Sequence, residues 1–500
     1  MTEGAIGKVL IVGGGTAGWM AAAVLSRAFG GSLEIALVES EQIGIVGVGE
    51  ATIPQIRLLN QYLGIDEDQF IRATQGSFKL GIQFEGWDRP NGAYLHAFGD
   101  VGRALGAVPF QAIWQRGLAL GIRSGLWDYS LNAAAAAANR FARFSPTETQ
   151  PLNGIVHAFH FDASLYARFL RSISEQAGVK RVEGRIVDVE LDAESGHVNA
   201  VCLDDERRLQ ADLFIDCSGF RGLLIGQALG VDYLDWSDWL PCDRALALPS
   251  AHGAMMRPFT QAMARSAGWQ WRIPLQHRVG NGYVYCSRFI SDDEAAATLL
   301  ANLEGEALDE PRALHFLTGR RRKFWHRNCL ALGLSSGFLE PLESTSIHLI
   351  QSGISRLLTM FPDRQFDQAL IDEYNRASIR EFEGIRDFLI LHYHANGRHG
   401  EAFWDERRGL EIPESLVQRM TLFARHGLVS RQADELFTEG SWLQVLLGQC
   451  GVPERVPALA AAMHPDQVGE VLNVLAAAVQ RNLQRMPEHA EFIARHCRAS

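Results

Sequence analysis

Apolar residues follow two rhythms along this chain. Short unbroken runs bounded by glycine or polar residues, Lys8-Val9-Leu10-Ile11-Val12, Leu33-Glu34-Ile35-Ala36-Leu37-Val38 and Leu213-Phe214-Ile215-Asp216, predict buried strands of the parallel type. The stretch Gly184 to Leu191 instead alternates, turns through Glu194-Ser195-Gly196 and resumes from His197 to Cys202, which predicts a β-hairpin. Beyond about Phe361 the spacing changes to steps of three and four: Val468, Val471, Leu472, Leu475, Val479 and Leu483 fall on one stripe of a helix. The alanine run from Ala133 to Ala138 predicts one more packed helix. Together these give an α/β part over 1–360, carrying an inserted sheet, and a mostly helical part over 361–500 packed on it.

The first run leads into chemistry. Lys8 to Val12 is followed at once by Gly13-Gly14-Gly15-Thr16-Ala17-Gly18 and then by the helical Trp19 to Leu25. This is GxGxxG in a strand–turn–helix setting, where glycines allow close backbone approach and the helix start offers N–H groups to a pyrophosphate. Glu39, 21 residues after Gly18 at the end of the second strand, is placed to accept hydrogen bonds from a ribose diol. The strand ending at Asp216 returns to this sheet some 200 residues later, behind a long insert, which favours FAD over NAD. No second strand-linked GxGxxG offers a seat for a nicotinamide, so a reductant for the flavin would come from elsewhere. The apolar, glycine-rich segment Ile43 to Pro54 suits a loop lying against a flat cofactor.

Composition narrows the partners. With 500 residues, 47% hydrophobic and 21% charged, the chain can build a large core. A net charge of −11 and a pI near 5.8 oppose nucleic acid or an anionic membrane as obligatory partners. The seven cysteines have no CxxC pair, so they predict reduced thiols in the cytoplasm and neither a disulfide framework nor a metal site. No apolar run reaches the length of a membrane span, and no charged-then-apolar leader precedes Lys8.

Three further stretches stand out. Lys79 is the one ammonium in the mostly apolar Gly76 to Phe84, where a lysine either snorkels to the surface or serves a site. In Gly333 to Ile347, two glutamates flank Pro341 and a Ser-Thr-Ser run precedes an apolar helix, a pattern that reads equally as a helix cap or a small-anion site. Gly268-Trp269-Gln270-Trp271-Arg272-Ile273-Pro274 sets two tryptophans one residue apart, as core or as the lining of a passage.

These segments carry a resemblance. GWQWRIP resembles the GWxWxIP signature of flavin-dependent halogenases, and VGGGTAG, GSFKLGI and FLEPLESTS are similar to motifs of their tryptophan-halogenase branch. The resemblance spans Gly13 to about Trp404, with similar spacing continuing through Gly440 to Gln449. It implies an α/β FAD-binding Rossmann-like module of the GR2 type shared by flavin monooxygenases and halogenases, with a mostly helical C-terminal substrate module. It also implies an enzyme that uses FADH2, O2 and chloride or bromide to form hypohalous acid for an aromatic substrate, supplied by a separate NAD(P)H-dependent flavin reductase. The same frame would serve a flavin-dependent monooxygenase hydroxylating an aromatic substrate, and a monomer or a homodimer is expected.

By that resemblance Lys79 matches the catalytic lysine and Glu343 the active-site glutamate. Thr345 and Ser346 match the halide cradle, where Ser346 replaces the commoner glycine and adds a side chain that bears on the choice of halide. The FAD contacts would be Gly13, Gly14, Gly15, Thr16, Ala17, Gly18, Glu39, Gly49, Ala51, Ile186, Leu334 and Ile347. His96 and Phe98 resemble one aromatic substrate wall and Phe403 and Trp404 the other. Trp269 and Trp271 would line the flavin-side passage, with Pro274 fixing the strand's exit. Tryptophan-specific members grip the amino acid with two tyrosines and a glutamate, where this chain offers His392, Tyr393 and His399 unless a register shift brings in Glu401. The expected substrate is therefore indole or another electron-rich arene rather than free tryptophan.

Overall fold

The structure, a computed structural model, describes residues 4–41 and 49–499. Residues 43–48 of the glycine-rich segment lie outside them. Two units emerge, each discontinuous in sequence: residues 1–75, 161–243 and 315–383 form the first, and 76–160, 244–314 and 384–500 the second. The division expected near residue 360 coincides with none of these crossings. The helical pattern begins inside the first unit and continues in the second.

The first unit centres on a six-stranded sheet ordered Trp325–His326, Cys329–Ala331, Leu213–Asp216, Lys8–Val12, Glu34–Glu39 and Lys180–Glu183. All neighbours run parallel except the first pair, and Val12 lies opposite both Val38 and Asp216. Val9, Leu10 and Ile11 are wholly buried, because layers cover both faces, and this is why the strand reads as an unbroken apolar run. The helix Thr16–Phe29 packs against Ala163–Gln176 and Ser346–Thr359, with Ala21, Ala22 and Ala23 buried. The expected hairpin is present as Ile186–Leu191 paired antiparallel with Val198–Leu203. Val198, Val201 and Leu203 join Leu10, Val12 and Phe214 in one apolar cluster, with Ile186 against it.

The second unit holds a seven-stranded sheet ordered Arg312–His315, Arg244–Ser250, Val279–Tyr285, Gly268–Pro274, Thr260–Arg265, Gly81–Glu85 and Ala93–Ala97. Gly268–Pro274 lies mid-sheet and all seven of its residues are buried. The alanine run forms Leu131–Ala137, capped by the Ser130 side chain. Pro465–Leu483 packs on that helix and on Phe110–Ala119 with Val468, Leu472, Leu475 and Val479 buried, as its stripe predicts. Among the described residues no helix is long and apolar enough to cross a membrane, and none of the seven cysteines is in a disulfide.

Candidate active site

In the first unit, the strand Lys8–Val12 ends at a turn with almost no room for side chains. Gly13 has φ +114°, donates its N–H to Val38 O at 2.8 Å, and a Cβ on it would lie 2.3 Å from Cys217 O. A Cβ on Gly18 would lie 1.9 Å from Gly13 O. At Gly15 the situation reverses: among the described residues nothing comes within 4 Å of the Cβ position, and no side chain caps the 14-residue helix that follows. The first N–H groups of that helix, at Thr16 and Ala17, have no acceptor within the helix and stand at its positive end, which fits the pyrophosphate of FAD. The Cβ position of Gly14 is filled by the Glu39 carboxylate, which leans over the turn and accepts from Arg181 Nε at 2.5 Å. Arg181 was not foreseen from the sequence.

Other expected cofactor contacts converge on this unit. Gly333 comes so close to Ala17 that a Cβ on it would lie 2.9 Å from the alanine methyl, which brings Leu334 to the first turn of the helix. Ile347 is buried, Ile186 lies in the apolar cluster under the sheet, and Gly49 and Ala51 occupy the short strand Gly49–Ala51. Asp216, wholly buried, accepts from Ser218 N and Oγ and from the N–H groups of Leu224 and Ile225, so it knits the strand end beneath the turn.

The Ser-Thr-Ser segment forms a sharp junction. A short helical turn, Pro341–Glu343, is stopped by Ser344 in the left-handed conformation at φ +58°. The chain then enters the helix Ser346–Thr359, with Thr345 at its N-cap. No side chain caps this helix, so the cap alternative is not realised. Thr345 is 1% exposed, and its Oγ1 has no hydrogen-bond partner among the described residues. An uncapped helix start beside an orphaned hydroxyl suits a small anion. Glu343 is buried next to it.

The far side of that helix is anchored by a polar network. His348 Nε2 meets Glu381 Oε1 at 2.9 Å, while Ser352 Oγ at 2.8 Å and Arg356 Nη2 at 2.9 Å donate to Glu381 Oε2. Burial alone would raise the Glu381 carboxyl, but His348 and Arg356 outweigh it and hold the carboxyl down at about 2. A carboxylate depressed below its unfolded value stabilises the fold above pH 4.5 and loses that contribution as pH falls toward 2. Glu381→Gln is therefore expected to cost about 3 kcal/mol at pH 7, and thermal melts should show the gap from wild type closing between pH 4.5 and 2. A gap that does not change with pH would contradict this account.

The second unit gathers the remaining candidates. Lys79 does not snorkel: it ends the strand Ser77–Lys79, is 0% exposed, and its Nζ sits 5.3 Å from the centre of the Phe98 ring. Phe98 is placed by its N–H, which donates to Leu80 O at 2.8 Å, and Asn132 clamps the same carbonyl. His96 is buried and its ring meets Phe388 at 5.8 Å. Phe403 and Trp404 belong to a different aromatic group: Trp404 packs on Trp87 at 5.1 Å and Tyr393 at 5.8 Å, and its Nε1 donates to Arg265 O. The rings of Phe388, His392 and Trp87 bridge the two groups. Trp269 and Trp271 share one face of their strand with ring centres 6.1 Å apart, and Gly282 opposite leaves the room that Trp271 fills. Pro274 offers its carbonyl to Ser77 Oγ at 2.6 Å.

The three positions opposite an amino-acid handle carry no spare carboxylate. His392 is buried with Nδ1 donating to Phe388 O, Tyr393 is buried, and His399 is exposed. Glu401 is held by Arg398 through Nε at 2.5 Å and Nη2 at 2.6 Å.

Sequence reasoning missed the polar supports. His348, Ser352 and Arg356 recur at steps of four, a polar stripe that would have flagged the Glu381 network. His160 and His489, which flank the lysine strand, gave no such signal.

Residues 8–465 match the family model described as tryptophan halogenase. The chain is 38% identical to the tryptophan 6-halogenase SttH of Streptomyces toxytricini, over 97% of this chain and 98% of that one. Among solved structures, it is similar to Xcc4156, a flavin-dependent halogenase from Xanthomonas campestris, at TM-score 0.96 and 50% identity, covering 99% of both chains. It is also similar to BrvH, a flavin-dependent halogenase from Brevundimonas sp. BAL3, at TM-score 0.95 and 45% identity over 98% of this chain and 99% of that one. With the glycine turn, the buried lysine and the uncapped helix Ser346–Thr359 in one chain, these matches mean that the protein belongs to the tryptophan halogenase family of FADH2-dependent oxidoreductases.

Proposed function

We propose that this enzyme halogenates an electron-rich arene such as indole, with Lys79 delivering hypohalous acid to the ring. The observation that carries the proposal is the fully buried Lys79 ammonium, 5.3 Å from the Phe98 ring in the unit that also holds the aromatic groups. FAD is held by the Gly13–Gly18 turn, Glu39, Gly49, Ala51, Ile186, Leu334 and Ile347. Bound as FADH2 it supplies, with O2, the oxidising equivalents that turn halide into hypohalous acid, and a separate flavin reductase regenerates it.

The chain's own residues do the rest. Halide rests at Thr345 and Ser346, where the uncapped N–H groups favour an anion. The serine side chain narrows that cradle and bears on chloride against bromide. Trp269 and Trp271, with Pro274 at the strand's exit, wall the passage and keep arene away from the flavin. Lys79 Nζ donates to the oxygen of hypohalous acid, which makes the halogen more electrophilic. The arene carbon attacks the halogen, the halogen–oxygen bond breaks, the oxygen leaves as water, and Glu343 takes the ring proton. His96, Phe98, Phe403 and Trp404 hold the flat ring by its faces.

Free tryptophan is disfavoured because its ammonium finds no available carboxylate: His392 and His399 replace the usual handle, and Glu401 is already bound to Arg398. Mass spectrometry of products from enzyme, FAD, reductase and NADH tests this, with indole and tryptophan offered separately in chloride, bromide or neither. Halogenated indole in excess of halogenated tryptophan is expected. Tryptophan as the better substrate would refute the handle argument, and hydroxylated product without halide would replace halogenation by oxygen insertion.

A further inference from the structure

Between the lysine strand and the tryptophan strand runs a chain of buried polar groups. Ser77, two residues before Lys79, donates its only hydroxyl proton to Pro274 O at 2.6 Å. Its Oγ also lies 3.1 Å from His160 Nδ1, and since that proton is spent the hydroxyl can only accept there. His160 Nδ1 must therefore carry hydrogen. In the neutral ring Nε2 is then an acceptor, and Thr260 Oγ1, 2.9 Å away, is its donor. Ser77 and His160 are wholly buried and Thr260 nearly so. One assignment satisfies every group, and it requires no charge on the ring.

Electrostatics favour the same assignment. Burial, the Lys79 ammonium and His489 act together to keep His160 well below the usual histidine range. His489 is neutral as well: its Nε2 accepts the Phe78 N–H at 3.2 Å, its Nδ1 donates to Met256 O at 2.9 Å, and burial lowers it to about 4 although Met256 opposes this. The lysine strand is thus bracketed by two uncharged imidazoles, one bound to Ser77 Oγ and the other to the Phe78 N–H. The groups acting on the His160 ring are Lys79, His489 and the hydroxyls of Ser77 and Thr260.

We propose that His160 is a positioning residue for Lys79: neutral and hydrogen-bonded at Nδ1, it ties the lysine strand to the exit of the tryptophan strand and keeps a second cation away from the ammonium. The inference rests on the reading of Lys79 as the group that delivers the halogen. A fixed ammonium needs a held strand and no further cation at the His160 ring. A displaced lysine would still leave hypohalous acid forming, but transfer to the arene would fail because the reacting atoms no longer meet.

Two measurements test it. In the apo protein labelled with ¹⁵N-histidine, the resonances lost in His160→Asn identify the ring, which is expected to stay neutral and protonated at Nδ1 from pH 5.5 to 8.5. In the holoenzyme, His160→Leu is expected to lower arene halogenation by about 10²-fold, while hypohalous acid trapped by a cyclic diketone is unchanged. His160→Asn, which keeps an uncharged donor toward Ser77, should recover most of that loss. Thr260→Val serves should the leucine variant not fold, and its expected result is an intermediate loss of transfer at unchanged halide oxidation. Protonation of His160 near pH 6.5, the opposite tautomer, or full arene halogenation by His160→Leu would overturn the proposal. If Lys79→Ala halogenated like wild type, the lysine reading would fall on its own account, and the NMR result would still report on the ring.

Discussion

Replacing Lys79 by alanine is expected to lower arene halogenation by about 10³-fold, the scale of a lost acid–base group, while NADH oxidation and hypohalous acid formation continue. The helix Ser346–Thr359 and the glycine turn belong to the other unit, and the substitution alters no residue of either. The expected signature is therefore uncoupling: trapped hypohalous acid rises as halogenated product disappears. Lys79→Met separates this from a folding defect. It keeps a side chain of similar length at this wholly buried position without the ammonium, and thermal melts of both variants show whether each is folded. A protein that is equally stable, oxidises halide and does not halogenate would identify Lys79 as catalytic. Persistent regioselective halogenation in either variant would mean that free hypohalous acid reaches the ring unaided.

The contrast between readable and unreadable features has physical causes. The strands Lys8–Val12 and Leu213–Asp216 were legible because a parallel strand covered on both faces must be apolar at every position. The hairpin and the Pro465–Leu483 stripe were legible because one covered face imposes a period. The interleaving of the two units was not, since it depends on which distant strands pair. Gly81–Glu85 lies parallel to Thr260–Arg265, a choice made by register and not by local composition. Lys79 could be singled out but not placed, because an ammonium on an apolar strand can snorkel as readily as be buried. Glu39 could be singled out by its spacing, whereas its partner Arg181 lies on a neighbouring strand 142 residues away. His160 is the extreme case: its role comes from three hydroxyl and carbonyl groups on three other segments, and nothing adjacent in sequence announces it.

The glycine turn allows the cofactor's place to be tested apart from the fold, because two of its glycines are glycine for different reasons. Gly13 combines φ +114° with a Cβ position 2.3 Å from Cys217 O, so Gly13→Ala must move the end of one central strand away from another. A loss of about 2–4 kcal/mol in stability, together with loss of FAD, is expected. Gly15 has an ordinary φ of −74° and no atom of the described residues within 4 Å of its Cβ position, so an alanine there meets none of them. Apart from the roughly 1 kcal/mol that a less favourable N-cap costs, Gly15→Ala should fold as wild type does. Its methyl group would nonetheless stand where a pyrophosphate must approach the first N–H groups of the helix, and a rise in FAD Kd of at least about tenfold is expected. Thermal melts of the apo proteins and FAD titrations followed by tryptophan quenching separate the two effects. If Gly15→Ala bound FAD as tightly as wild type, the pyrophosphate could not lie at this helix start, whereas weak binding by a well-folded Gly15→Ala protein would leave contact with the cofactor as the reason for the glycine.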